Sequence, residues 1–419
     1  MVIGIMVGSG IFRTPGPVAA QLGRPGLTLA VWALGGVIAC AGALIFAELA
    51  TRYPRAGGKY VYARAAFGSR AGFVVGWVEG VAIYTAAIAA IGVVCGEYLG
   101  RLIGTSDAQA KVLGVGLIGL FTLINLSGVA SGKWVQNVST TTKLLALVAV
   151  IVAALWRGTG AGWSGALTTA PHGAALGAAL AVAFQAVIWT YYGYLDAGKI
   201  AEEIVEPGKS LPRIFLGGIA AVTLLYLLLN VAYVQVLPFD RIAGSKLVAA
   251  DVMAALFGNG AGTVFAALAL LVVLASLNGN IFVTPRVIFG LAREGLGPAV
   301  LARVHRGGSP WVAMIFVGVT AMALAVTGSF DSLLALSITL ILVVDSLAVL
   351  SLLVLRGREP AAPFRVPLYP ALPLGFVLMY LVLFVGAVLA QPRVTGLALA
   401  VILGTYVLGM FGGRRRPDG

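Results

Sequence analysis

The chain has 419 residues, 60% hydrophobic and 10% charged, where soluble domains carry roughly 45–50% and 25%. A mean hydropathy of +1.01 excludes a string of soluble domains and points to one polytopic membrane domain, an all-α fold whose core is the bundle interior. The net charge of +13 is scattered over short loops, so it reads as topology and attraction to anionic lipid, not as a nucleic-acid surface.

Twelve apolar runs are long enough to span a bilayer. They lie near 1–22, 26–49, 71–101, 111–129, 135–156, 174–204, 214–237, 262–290, 311–327, 330–354, 370–390 and 394–412. The first is interrupted at once by Val7-Gly8-Ser9-Gly10-Ile11-Phe12. Only seven residues precede Gly8, too few for half a bilayer, so a start further upstream is expected. The run lacks a basic leader and a small-residue cleavage site, so it does not read as a signal peptide.

Broken helices are tolerated at membrane depth only where they line a cavity. Gly8 and Gly10 let the backbone leave helical geometry and approach a ligand closely. The amides near Ser9, Gly10 and Ile11, at the start of the second half-helix, suit a carboxylate. The carbonyls of Met6 and Val7 suit an ammonium. A zwitterionic α-amino acid has both poles. The competing reading is that these glycines serve close helix packing alone.

The fifth run carries Lys143 among Thr140, Thr141, Thr142 and Leu144. A charge in mid-span costs at least ~2.5–3.5 kcal/mol and defaults to a functional role. Snorkelling lysines sit near helix ends instead. The alternative is a structural ammonium on carbonyls of the first and eighth spans, with Ser276 as a neighbour. Either version repels sodium.

The sixth run breaks at Trp189-Thr190-Tyr191-Tyr192-Gly193-Tyr194. Two breaks, one opening each half of the chain, point to a secondary transporter with a midplane site. Tyr191, Tyr192 and Tyr194 are candidates for the side-chain pocket. Asp196 either caps the second half-helix, the commoner use of Asp, or favours a cationic side chain. Glu79 is one turn past Gly76-Trp77, near the cytoplasmic end; Glu97 and Asp331 lie toward extracellular span ends, where solvation is at hand; Glu202-Glu203, flanked by Lys199 and Lys209 at the cytoplasmic end, reads as gate or loop ion pairing. Asp345 lies deep in the tenth span with no role assigned. Cys40 and Cys95 read as buried thiols.

With an even number of spans and a cytoplasmic N-terminus, 19 Lys and Arg fall inside and 8 outside, Lys143 apart. Both termini are therefore expected in the cytoplasm of a multi-pass inner-membrane protein. Arg52, Arg55, Lys59 and Arg64 belong to the inside set as loop charges.

Several segments together resemble the L-type amino acid transporter branch of the amino acid–polyamine–organocation superfamily, in a bacterial form. They are Gly8-Ser9-Gly10-Ile11-Phe12; Glu48; Pro54-Arg55-Ala56-Gly57-Gly58-Lys59-Tyr60-Val61-Tyr62; Phe67-Gly68; and Gly76-Trp77. Val135-Gln136-Asn137, Thr142-Lys143-Leu144, Glu202-Glu203, Pro207, Leu211-Pro212, Asn278-Gly279, Arg286 and Ala292-Arg293-Glu294-Gly295 follow in order.

The resemblance implies a LeuT-type fold with discontinuous helices 1 and 6. It has two inverted five-helix repeats (1–156 and 174–354) and two peripheral helices (370–412). It also implies that the carbonyls of Trp189 and Tyr192 beside Gly193 face the substrate ammonium, with the Trp189 ring as a lid. Lys143 takes the place where sodium-coupled relatives hold an ion. The short stretch around Gly57-Gly58 and Tyr60 resembles a helix sealing the inward vestibule. The implied activity is sodium-independent amino acid transport, proton-coupled or by exchange. A polyamine or cationic amino acid/amine antiporter of the same superfamily is the alternative.

Two other classes fit less well. A membrane-embedded enzyme needs a base, yet His172 and His305 lie in loops on opposite sides, and no carboxylate pair recurs at metal-ligand spacing. A channel would show charge rings or a repeated filter. No cofactor or metal is expected. No cysteine lies in the 102–110 loop, so no covalent protein partner is expected.

Overall fold

The computed structural model describes residues 6–53, 58–126, 133–193, 206–305 and 309–412, with side chains except at 133–139, 174, 207, 411 and 412. The described residues form helices and connections, with no strand among them. In chain order the helices are α1 (Ser9–Arg13), α2 (Pro15–Leu22), α3 (Pro25–Arg52), α4 (Lys59–Phe67) and α5 (Ser69–Trp77). A π-helical turn (Val78–Ile83) follows, then α6 (Tyr84–Ile103), α7 (Asp107–Leu126), α8 (Lys133–Arg157) and α9 (Ala174–Tyr191). The second half holds α10 (Pro207–Val236), α11 (Phe239–Ala243), α12 (Val248–Phe257) and α13 (Asn259–Arg293). It ends with α14 (Trp311–Thr327), α15 (Phe330–Arg358), α16 (Ala371–Ala390) and α17 (Pro392–Gly412).

Nine helical segments among the described residues are long and apolar enough to cross a membrane. Ala175–Tyr191, Val248–Phe257 and Trp311–Thr327 are shorter apolar helices. The stretch between the seventh and eighth predicted spans is helical where the sequence suggests a loop, because α11 lies on α2 and α12 on α13. Amphipathic packing, not span length, forms these two.

Chemistry explains the termini of the elements that matter most. α1 and α2 run nearly as one helix: the Thr14 amide donates to Gly10 O at 2.8 Å, and Val18 donates to Thr14 O at 3.0 Å. Pro15 brings no amide, so the ladder skips one bond there. α3 passes close to both α9 and α10. A Cβ on Gly35 would lie 2.3 Å from Val187, and one on Gly36 2.4 Å from Thr223. α4 starts from Gly58 at φ +66°, a conformation side chains other than glycine rarely adopt.

The segment from Ser69 to Ile103 is central, with 83% of its most apolar window buried, whereas the last helix has 17% and faces outward. α6 and α15 pack on each other, and α15 also touches α4, α9 and the π-helical turn. That arrangement gathers the polar residues described next.

Candidate functional site

The helix interruption expected at Gly8 is present. Met6 is helical, Val7 and Gly8 bend, and α1 starts at Ser9. Gly8 is extended (φ −112°, ψ −152°), and its amide reaches back to Met6 O at 2.9 Å. Met6, Val7, Ser9, Gly10 and Ile11 are buried and Gly8 is half-buried, so the break lies inside the bundle.

Gly10 faces Thr190 of α9. A Cβ there would sit 2.9 Å from the Thr190 hydroxyl and 3.0 Å from its Cα. The Thr14 and Thr190 hydroxyls are 2.8 Å apart. Tyr226 of α10 donates to Met6 O at 3.0 Å, with Thr190 O 3.4 Å away. The two elements that carry the predicted breaks therefore touch, and one tyrosine reaches both. Thr14, Thr190 and Tyr226 are absent from the sequence-derived site. A tyrosine amid the apolar run 214–237 was the available signal, since a buried hydroxyl in lipid needs a partner.

α9 stops at Tyr191, and the Tyr192 amide donates to Trp189 O. Trp189, Tyr192 and Gly193 are half-buried. Tyr194, Asp196, Lys199 and Glu202-Glu203 lie outside the described residues, as does the second half of the sixth span.

The tyrosines divide. Tyr191 turns away to Trp32, its hydroxyl 3.1 Å from Trp32 O. Trp32, Tyr191 and Tyr226 form an aromatic trio with centroids 5.2–6.2 Å apart. Tyr192 turns the other way: its hydroxyl accepts from Lys59 Nζ and lies 3.2 Å from Asp345 Oδ1.

Lys59 is not a solvated loop charge. Its ammonium is buried, 2.6 Å from Asp345 Oδ1 and 3.5 Å from Glu79 Oε1. The hydroxyl of Tyr84 donates to the same Glu79 oxygen at 2.9 Å. Periodicity alone places Lys59 in a basic loop; α4 folding back onto α15 buries it instead. Asp345 thereby gains a partner that no sequence spacing reveals. Beside Lys59, Tyr60 donates to Glu294 at 2.9 Å; burial and that bond push its hydroxyl pKa upward, so it stays a neutral donor.

Lys143 is buried within α8. α8 packs on α13, which carries Ser276, whose hydroxyl donates to Val272 O at 3.2 Å. Among the described residues no group of three His, Cys, Asp or Glu is arranged to hold a metal. His172 is exposed and bonds Arg24.

The charges sort by end. Arg13, Arg101 and Lys246 pair with Glu97, Asp251 and Asp107 at one end. Arg52 and Arg356 meet the buried Glu48 at the other, where Arg52 also bonds Glu359 O.

An amino acid permease family model matches residues 1–409. The serine/threonine exchanger SteT of Bacillus subtilis is 31% identical over 380 residues, covering 89% of this chain and 86% of its own. The large neutral amino acids transporter small subunit 2 of Homo sapiens is 30% identical over 425 residues, covering 98% and 79%. The Asc-type amino acid transporter 1 of Mus musculus is 30% identical over 430 residues, again covering 98% and 79%. The buried helix break, the contact between its two carriers and a match along nearly the whole length agree: the chain belongs to the amino acid permease family of the amino acid–polyamine–organocation superfamily.

Proposed function

We propose that this transporter moves an α-amino acid across the cytoplasmic membrane by alternating access, without sodium, as a permease or exchanger. The carrying observation is the buried break at Val7-Gly8, set against the end of α9. Amides opening α1 bind the substrate carboxylate, because the helix dipole and unpaired N–H groups favour an anion there. Carbonyls of Met6, Val7, Trp189 and Tyr192 receive the ammonium. Gly8 and Gly193 allow the backbone to come close to the ligand, Gly10 lets α1 approach Thr190 of α9, and Trp189 covers the ligand. The serine/threonine and neutral amino acid activities in the relatives' names support a small or neutral substrate.

Lys143 supplies a fixed cation in place of sodium, beside Ser276. Its burial supports this reading, since a buried charge is retained for a role. The proposed architecture is twelve spans in two inverted repeats (1–156 and 174–354) with helices over 370–412, both termini cytoplasmic. The nine long helices, Ala175–Tyr191, Trp311–Thr327 and the rod from Ser9 to Leu22 support that number. Val248–Phe257 is ten residues long, about 15 Å, too short to span.

The test is uptake of radiolabelled amino acids into proteoliposomes in sodium and in choline buffer. Equal rates, with strong impairment in Lys143→Ala, are expected. A strict sodium requirement overturns the assignment of the ion site.

A further inference from the structure

Lys59, Glu79 and Asp345 have side chains at most 4% exposed. One ammonium thus faces two carboxylates in a buried place, and among the described residues the formal sum is one negative charge. An uncompensated ion so buried costs several kcal/mol even after relaxation. A group in that position neutralises instead.

We propose that Glu79 and Asp345 together hold one proton beside Lys59, so that closing this end of the bundle takes up a proton and opening it releases one. The inference rests on the alternating-access reading above. It adds a ligand, H⁺, and a site for it that is separate from Lys143.

Among the described residues the neighbours supply no second cation. From α6, Tyr84 bonds Glu79. From the end of α9, Tyr192 bonds Asp345, and α16, packed on α9, brings Tyr380 toward Tyr192. All three are neutral hydroxyls. On α4, Arg64 is spent on Glu294 at the surface. On α3 and α15, Arg52 and Arg356 are held by Glu48. On α13, Arg286 bonds its own Phe282 carbonyl and Arg293 lies over Phe289. On α5, Arg70 is exposed.

Two further observations point the same way. Asp345 Oδ2 is buried with no hydrogen-bond partner among the described residues, so its anionic form is poorly supported there. Glu79 sits in a π-helical turn, a costly distortion that tends to mark functional positions. Protonation of either carboxylate leaves one ion pair and a neutral acid, a combination the dry interior accepts. Opening hydrates the cluster, and the proton leaves to bulk water. Tyr192 adjoins the substrate break, so the proton and the ligand share one moving element.

The experiment uses the full chain in proteoliposomes. Amino acid exchange is measured with the pH varied on the side that carries Lys59. Because opening releases a proton, acid opposes it: exchange should fall about threefold or more between about pH 8 and about pH 6. Whatever exchange remains in Glu79→Gln and in Asp345→Asn should be flat with pH. Infrared difference spectroscopy of the detergent-purified protein checks the proton without any transport. A protonated-carboxyl band should be present and be lost in each variant. A flat profile in the native protein, a native slope in both variants, or the absence of that band overturns the proposal. Absence of amino acid exchange with the band present would instead reject the transport reading and leave the proton site standing.

Discussion

Inside the bundle Lys59 meets Asp345 at 2.6 Å with side chains 4% and 0% exposed. At one end, Arg101 meets Asp251 at the same 2.6 Å with side chains 39% and 33% exposed. Lys246 and Asp107, at 3.0 Å, are 50% and 90% exposed. Equal distances therefore hide unequal energies. Exposed pairs are screened by water and salt and contribute about 0–1 kcal/mol. A buried pair contributes little against an apolar replacement, but breaking it strands a charge. The Lys59 cluster is consequently a place where losing one partner matters, and the exposed Arg101 and Lys246 pairs are places where it does not. Arg13 and Glu97, 7% and 15% exposed at 2.9 Å, fall between.

Substitutions at Lys59, Gly10, Glu97 and Arg101 test that ordering, the largest effect first. Lys59→Met removes the sole cation facing Glu79 and Asp345 among the described residues and should cost about 3–5 kcal/mol. A marked drop in the melting midpoint of the purified protein is the readout; an unchanged midpoint would mean that this cluster is not held by charge. Gly10→Leu should abolish uptake, because even a Cβ meets Thr190 at 2.9 Å, and overpacking costs about 1–3 kcal/mol. Gly10→Ala should be milder and should regain activity when combined with Thr190→Ala, which clears the hydroxyl and methyl. Near-normal transport by Gly10→Leu would remove this contact from the mechanism.

Glu97→Gln keeps the shape of the Arg13 partner but not its charge. A loss of about 1.5–3 kcal/mol is expected for a hydrogen bond to a charged group, read as a smaller midpoint shift. Arg101→Ala should change the midpoint least, by about 0–1 kcal/mol, and the difference should vanish in high salt. If Arg101→Ala proved as harmful as Lys59→Met, burial would not be what separates the two places.

Much of the candidate site is legible along the chain because membrane helices announce their exceptions. Glycines and a serine at residues 8–10 stand out against an apolar background, and so does a lysine at 143. What could not be read was which polar groups would share a space. Tyr191 and Tyr192 are sequence neighbours, yet one bonds Trp32 and the other joins Lys59. Helical rotation of about 100° per residue sends adjacent side chains to different walls, and only the neighbouring helices decide what each wall holds.

By itself the sequence determined that this is a polytopic all-α membrane protein with a break at Gly8, while the family came from the resemblance of its motifs. Those features follow from composition and local backbone chemistry, since lipid forces every unpaired amide into a helix or a cavity. Only the tertiary structure decided that Lys59 is buried, that Asp345 is its partner, and that Thr14, Thr190 and Tyr226 tie the two break-bearing elements together. These contacts join residues 176 to 286 positions apart, and pairing at that range is set by how helices pack, which no local pattern encodes.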